Sequence, residues 1–349
     1  MSEPLVVIDA DVLGRRRTGD ESYVSALLAE LAKLDHGLRL AAVTRHPELV
    51  PEGVEPLELD ARSQTLRMGI GMPRLLRRLR PQLAHFQHVV APWCPCPALV
   101  TIHDLSFERH PELMDRRDRL VFRTMVPRSV RQATRVLAVS EWTKRDLVEH
   151  YGIPEQKIVV TPNGVDSLFE PNGARRNGAP YVLFVGTLQP RKDPLAALEA
   201  LALVDSDLRL VFVGPDKGSG AEARRRASKL GLDGRVEFVG HIEKQELAEL
   251  YRGAACLVFP SRYEGFGLPV VEAMASGTPV VATAAGSIPE IAGDAAVLVE
   301  PGDPVSLAGG IERALADRER LVSVGLERAQ RFSWAETARR TLAIYQELL

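Results

Sequence analysis

The stretch CLVFPSRYEGFGLPVVEAMASGTPVVAT, residues 256–283, decides the fold. It opens on a short apolar run, Cys256 to Phe259, and closes on another, Val280 to Thr283. Between them lies a glycine-bearing loop and a run of small and apolar residues. Gly265 and Gly267 disfavour helix, whereas Pro269 suits a first helical turn, so a helix is expected to begin near Pro269. A buried strand, a helix and a second buried strand make a parallel βαβ unit. Glu264 then falls on the loop after the first strand. Glu272 falls one turn inside the helix, its side chain leaning back toward the N-terminus.

Both carboxylates are therefore expected at the carboxyl end of a parallel sheet, where open α/β folds bind ligands. The amides of Gly265, Phe266, Gly267 and Leu268, at the positive end of the helix, favour an anion there. A carboxylate can take two vicinal hydroxyls of a sugar. Phosphate beside sugar hydroxyls describes a nucleotide sugar. The plainer alternative is a glycine-rich turn before a core helix, with Glu264 solvated and Glu272 capping amides.

Outward from this stretch the same rhythm recurs. LVVIDA, LRLAAVT, LAHFQ, ALVTIHD, RVLAVS and KIVVTPNG precede a Gly/Pro/Asn-rich segment near residues 163–180, and YVLFVGT, LRLVFVG, RVEFVG, CLVFPS, TPVVAT and AAVLVE follow it. The expectation is two tandem Rossmann-like, doubly wound α/β domains facing a central cleft, over residues 1–170 and 171–332. Residues 333–349 read as a helix capped by Ser333, with Ala338, Leu342, Tyr345 and Leu349 on one stripe, able to cross back to the first domain.

A chain of 349 residues is too long for one ordinary core. Apolar residues at 45% and charged residues at 26% fit a globular protein and exclude a largely disordered one. The net charge of −2 gives no global field for nucleic acid, and no nucleic-acid partner is expected. From Arg67 to His150, however, 15 Lys or Arg stand against 8 Asp or Glu, either an arginine-rich solvated face or a surface for an anionic partner. Cys94, Cys96 and Cys256 form no disulfide framework, and Cys94-Pro95-Cys96 is too short for a zinc knuckle. With no basic leader before an apolar stretch and no membrane-length run, a cytoplasmic location is expected. RMGIGMPRLLRRLRPQ sets Leu75, Leu76 and Leu79 beside Arg74, Arg77, Arg78 and Arg80, which suits either a surface helix or peripheral contact with the anionic inner face of a membrane.

Glu264 and Glu272 form an E-x7-E pair, and with VTIHDLSF, VSEWTKRDLVEHYGIPEQKIVVTPNGVD, FVGTLQPRKDP and GSIPEIAGDAAVLVEPGD in order, nearly the whole chain resembles the retaining glycosyltransferases of family 4, of GT-B fold. The resemblance implies a nucleoside diphosphate sugar held between two domains and transferred to an acceptor hydroxyl.

FVGTLQPRKDP places Gly186 at a strand end and two cations, Arg191 and Lys192, before a proline-started helix. Adjacent cations can neutralise a diphosphate, the guanidinium bidentately. The resemblance assigns them to the donor diphosphate and its leaving charge, a role that protein cations would fill with no metal or cofactor. His103 and Asp104 follow a buried strand. The resemblance puts His103 on the donor sugar and Asp104 near the acceptor hydroxyl, while a structural hydrogen bond is the bland alternative. VEFVGHIEKQELAELY would carry the nucleotide base through backbone groups near His241 and Ile242 and packing from Leu247. The loop LGRRRTGDESY departs from the family pattern. Gly19 is kept, but Glu21 and Ser22 replace the usual glycine and arginine, so either Glu21 points away or the loop serves the acceptor. Asp205-Ser206-Asp207 reads as a turn. Asp9-Ala10-Asp11, at the ligand-facing end of a strand, is the better candidate for a metal; His85 and His88 read as polar residues near the crevice, and Ser140 reads as a helix cap.

The expected activity is metal-independent hexosyl transfer with retention, leaning to mannose from GDP-mannose, onto a saccharide or lipid-linked acceptor in glycan, glycolipid or polysaccharide synthesis. No side chain stands out as a covalent nucleophile, and the resemblance implies front-face attack in which the leaving phosphate takes the acceptor's proton. Alternatives are a UDP-sugar-dependent glucosyl or N-acetylglucosaminyl transferase, a nucleotide-sugar epimerase of the same fold, and a non-catalytic donor-binding protein.

Overall fold

The structure, a computed structural model, describes residues 3–15, 19–113 and 116–349. It contains two compact units. The first is Met1–Gly164 with Trp334–Leu349, and the second is Val165–Ser333. The chain leaves the first unit after Gly164, earlier than the expected 170, and returns to it at Trp334.

The first unit holds a seven-stranded, all-parallel sheet: β1 (Leu5–Asp9), β2 (Arg39–Thr44), β3 (Glu55–Glu58), β4 (Leu83–Gln87), β5 (Ala98–Ile102), β6 (Arg135–Ala138) and β7 (Ile158–Val160), in the order β3-β2-β1-β4-β5-β6-β7. The second holds six parallel strands, β8 (Tyr181–Val185), β9 (Arg209–Val213), β10 (Val236–Gly240), β11 (Cys256–Phe259), β12 (Val280–Thr283) and β13 (Ala296–Val299), in the order β10-β9-β8-β11-β12-β13. Strands β1, β5 and β8 are buried along their whole length, which is why they read as unbroken apolar runs. In each sheet the order reverses beside the first strand, between β1 and β4 and between β8 and β11. Loops diverge at such a reversal and leave room for a ligand.

Strand β3, Glu-Pro-Leu-Glu, has no counterpart among the apolar runs of the sequence. It is a mostly exposed edge strand, and an edge tolerates both the proline and the charge. The helix Met72–Leu79 buries Met72, Leu75 and Leu76 in the first core and leaves Arg74, Arg77 and Arg78 outside. Its apolar face is thus spent on the protein, which corrects the expectation that it could lie on lipid through its leucines. No helix among the described residues is long and apolar enough to cross a membrane. Trp334–Leu348 is one helix packed on Gly19–Leu31. Trp334 meets Tyr23 edge-on at 6.0 Å, and Tyr345 is fully buried.

Candidate functional site

In the second unit the loops after β8 and β11 converge on Glu264. Gly186 follows β8 with φ 154°, and the chain then forms a short 3-10 turn, Pro190–Lys192. Arg191 donates through Nη1 to the Tyr263 carbonyl at 2.8 Å and lies 3.4 Å from Glu264 Oε2. Lys192 Nζ donates to Glu264 Oε1, and the Arg262 amide donates to the Arg191 carbonyl at 2.9 Å. Glu264 is 6% exposed. Burial pushes its carboxyl upward, but Lys192 and Arg191 overcome this and hold it below the usual range. Glu264 is therefore ionised, and each of its oxygens has a cation. The solvated Glu264 of the plainer alternative is excluded.

The backbone locks this geometry. Gly286, at φ 59°, lies so close that a Cβ there would sit 2.3 Å from the Glu264 carbonyl oxygen, and the Ser287 amide donates to that oxygen at 3.0 Å. Gly267 adopts φ 94° directly before the helix Leu268–Ala275, and a Cβ on it would lie 2.5 Å from Ile288 Cδ1. The glycines thus satisfy a left-handed backbone and close packing. Phe266 turns into the core, 4% exposed and edge-on to Phe332 at 5.5 Å, so only its backbone is left for a ligand.

Glu272 is half-buried inside that helix and accepts from the Tyr251 hydroxyl at 2.9 Å. This bond differs from the amide cap of the plainer alternative. Burial pushes the Glu272 carboxyl up to about 7, against the pull of the Tyr251 hydroxyl and Lys244. The two glutamates are chemically distinct: Glu264 is a buried anion between cations, and Glu272 titrates near neutrality. His241 is exposed after β10, and Ile242 and Leu247 are half-buried at the start of Lys244–Gly253.

In the first unit, His103 follows β5 and is 9% exposed. Its Nε2 lies 2.9 Å from Gln87 Oε1 and its Nδ1 3.9 Å from Asp20 Oδ1, while His88 Nε2 lies 3.7 Å from Asp20 Oδ2. Burial pushes His103 down to about 4 despite Asp20, so this imidazole is neutral at pH 7. Burial also opposes ionisation of Asp20, yet His103, His88 and Arg15 together hold its carboxyl well below the usual range. Buried Gln87 Nε2 and His88 Nδ1 have no hydrogen-bond partner among the described residues. Such atoms at a strand's carboxyl end are places where a ligand hydroxyl can pair. Asp104 Oδ1 accepts from the Ser106 amide at 2.9 Å and its hydroxyl at 2.8 Å, which commits that oxygen to the turn.

Asp20 and Gln87 carry no motif that marks them in sequence, and His88 reads there only as a polar residue near the crevice. Asp20 lies on the helix Gly19–Leu31 and Gln87 and His88 lie at the end of β4, and they meet His103 after β5 because β1, β4 and β5 are neighbours in the sheet. Gly19 opens the helix Gly19–Leu31, exposed, and Arg16 to Thr18 of its loop lie outside the described residues. Glu21 Oε1 accepts the Gly14 amide at 2.9 Å, so its charge serves the loop itself.

Several remaining polar residues have structural roles. Asp9 and Asp11 pair with the fully buried Arg67 at 2.6 and 3.2 Å, and Asp11 also pairs with Arg15 and Arg45, which occupies the aspartates that had suggested a metal. His85 bonds the Tyr345 hydroxyl and Thr101 Oγ1, each at 2.7 Å, and burial pushes it down to about 3, so it is a neutral core residue. Ser140 Oγ accepts from the Thr143 amide at 3.0 Å as a helix cap, and Ser206 Oγ accepts from the Leu208 amide within a turn.

Two all-parallel sheets of this kind, each with polar groups at its reversal point, define the GT-B class. A family model described as Glycosyltransferase Family 4 matches residues 17–167, and one described as Glycosyl transferases group 1 matches residues 167–333. The chain belongs to this glycosyltransferase family. It is 28% identical over 268 residues to the O-antigen chain mannosyltransferase B of Escherichia coli, covering 72% of this chain and 70% of that one. It is 39% identical over 239 residues to the D-inositol 3-phosphate glycosyltransferase of Geodermatophilus obscurus, covering 62% of this chain and 53% of that one. The match thus spans about half the length of the latter relative. Among solved structures, the sucrose-phosphate synthase of Thermosynechococcus elongatus aligns with a TM-score of 0.82 at 25% identity, over 99% of both chains. Anabaena HepE in complex with UDP-glucose aligns at 0.78 and 19% identity over 99% of this chain and 100% of that one, a likeness of fold alone.

Proposed function

We propose that the protein transfers a hexosyl group from a nucleoside diphosphate sugar to an acceptor hydroxyl with retention of configuration. The observation that carries this reading is the convergence of Arg191, Lys192 and buried Glu264 at the reversal point of the second sheet, in a chain of this family. The two cations oppose the charge that grows on the departing diphosphate, a task for preorganised groups in a poorly solvated site. Once a diphosphate takes the cations, Glu264 accepts sugar hydroxyls, and Glu272 grips hydroxyls of the nucleoside with the oxygen not held by Tyr251. Backbone groups near His241 and Ile242, with Leu247, pack the base. On the family resemblance His103 meets the donor sugar and Asp104 the acceptor hydroxyl, and the leaving phosphate takes the acceptor's proton.

The protein's own cations suffice in this reading, with no metal. The donor is GDP-mannose and the acceptor a saccharide or lipid-linked glycan; the mannosyltransferase name of the E. coli relative supports mannose. Contact with an anionic membrane would use the outward Arg74, Arg77 and Arg78.

The test is a thermal-shift panel of sugar nucleotides followed by product analysis with an acceptor panel. A donor at a hundred times its dissociation constant stabilises by about 2.7 kcal/mol. GDP-mannose should give the largest shift and a product of retained anomeric configuration, in the presence or absence of EDTA. Arg191→Ala and Lys192→Ala should each lower turnover by about 100-fold or more, the scale of losing one preorganised charge partner. Wild-type kinetics in both variants removes the site. A preferred UDP-sugar corrects the donor, free epimerised sugar nucleotide makes the protein an epimerase, and tight binding without turnover makes it a donor-binding protein.

A further inference from the structure

The loop joining β4 to β5 carries Cys94-Pro95-Cys96-Pro97, to which the proposed transfer assigns no role. Prolines flank Cys96 on both sides, and the chain bends at Pro95 and Cys96 before β5 begins. The bend brings the two thiols together: the Sγ atoms lie 3.7 Å apart, both half-buried, and the Cys94 thiol donates to the Cys96 carbonyl at 3.4 Å. The loop enters through His88 at φ 58° and turns at Trp93 at φ 53°, whose ring is 68% exposed directly before Cys94. Cys256 provides the contrast, fully buried in β11.

We propose that Cys94 and Cys96 form a thiol-disulfide exchange site that closes to a reversible disulfide within this loop on reaction with a small-molecule disulfide such as oxidised glutathione. The Cys94 thiolate attacks one sulfur of the small disulfide, forming a mixed disulfide and releasing one equivalent of the small thiol. Cys96, already within van der Waals reach, then attacks Cys94 Sγ. The Cys94–Cys96 bond forms as the mixed disulfide breaks, and the second small thiol leaves with the proton that Cys96 gives up. Two protein thiols are oxidised and one disulfide is reduced to two thiols. The attacking group is Cys94: the hydrogen bond with the Cys96 thiol outweighs burial and pulls Cys94 below the usual thiol range, while the same pairing and burial push Cys96 up. A lowered thiol supplies more of the thiolate that attacks a disulfide. Cys256, pushed up by burial to about 12, stays inert. A two-residue spacing closes a small ring, so the disulfide is strained and reduces readily, as regulatory disulfides do.

The experiment titrates the full-length chain in glutathione buffers of increasing oxidised fraction, with acid quench, mass spectrometry and intrinsic fluorescence. The expected result is loss of the mass of two hydrogens, a peptide cross-linked between Cys94 and Cys96, reversal by excess reduced glutathione, and quenching of Trp93 fluorescence that Trp93→Phe removes. Cys96→Ser should instead accumulate a glutathione adduct on Cys94. Cys94→Ser should react at least tenfold more slowly, and Cys256→Ser should behave as wild type. A persistent glutathione adduct on wild-type Cys94, a cross-link to Cys256, or full retention of all three thiols in oxidised glutathione overturns the proposal. None of these readouts depends on a sugar donor or on turnover.

Discussion

Glu264 and Glu272 are eight positions apart in sequence and opposite in state. Glu264 is held ionised by Lys192 and Arg191 against burial, whereas burial carries Glu272 to about 7. For Glu272 the folded protein binds the proton more tightly than the unfolded chain. Its contribution is therefore fully present below the unfolded value near pH 4.3 and is lost as pH rises through about 7. Glu272→Gln keeps an acceptor for Tyr251 and removes the titration. Denaturant unfolding at pH 4 and pH 8 should show the variant close to wild type at the lower pH and exceeding it at the higher by at most a few kcal/mol. An unchanged pH slope would mean that Glu272 titrates normally. The residue types at this site were readable because acids, cations and glycines cluster in short runs. Their pairing was not: the sequence suggested Glu264 for hydroxyls and the cations for phosphate, and the three prove to be partners because the loops after β8 and β11 are neighbours only in the sheet order.

The turn Pro190–Lys192 and the helix Pro194–Leu203 are joined by Asp193, which adopts φ 48° and accepts the Ala196 amide at 3.3 Å and Arg262 Nε at 2.8 Å. One side chain thus caps a helix, tolerates a left-handed backbone and ties the two loops that carry the site. Asp193→Ala loses the cap and puts an alanine at positive φ, which should cost about 1–2 kcal/mol in urea unfolding. Asp193→Gly, free of the backbone penalty, should cost less than half as much. Equal losses would dismiss the conformational argument. At this scale the buried parallel strands were legible as unbroken apolar runs. Strand β3 was not, because an exposed edge strand carries no such run. The basic helix Met72–Leu79 showed its stripe but not its partner, since an apolar face pressed on a core and one pressed on lipid look alike in sequence.

At the scale of the molecule, the first unit is built from two separated pieces of chain, 1–164 and 334–349. The returning helix supplies Tyr345 to His85, Trp334 to Tyr23, and Thr337 Oγ1 to the Pro162 carbonyl at 2.6 Å. Removing two buried aromatics at about 3–5 kcal/mol each, together with buried Leu342 and Ile344 at about 2–5 kcal/mol each, matches the whole stability of an ordinary domain. Deleting Trp334–Leu349 should therefore unfold the first unit while Val165–Ser333 keeps a cooperative transition, as hydrogen exchange resolved by peptide would show. Native protection of β1, β4 and β5 in the truncated chain would contradict this. The stripe of Ala338, Leu342 and Tyr345 was visible in sequence, but the surface it covers follows only from the split connectivity.

That connectivity also orders events on the ribosome. The whole of Val165–Ser333 is translated before Trp334 appears, so β8 to β13 can assemble while the earlier-made half still lacks its closing helix. Until then Tyr23 and His85 stay uncovered in the nascent chain, and the N-terminal portion, although synthesised first, is completed second.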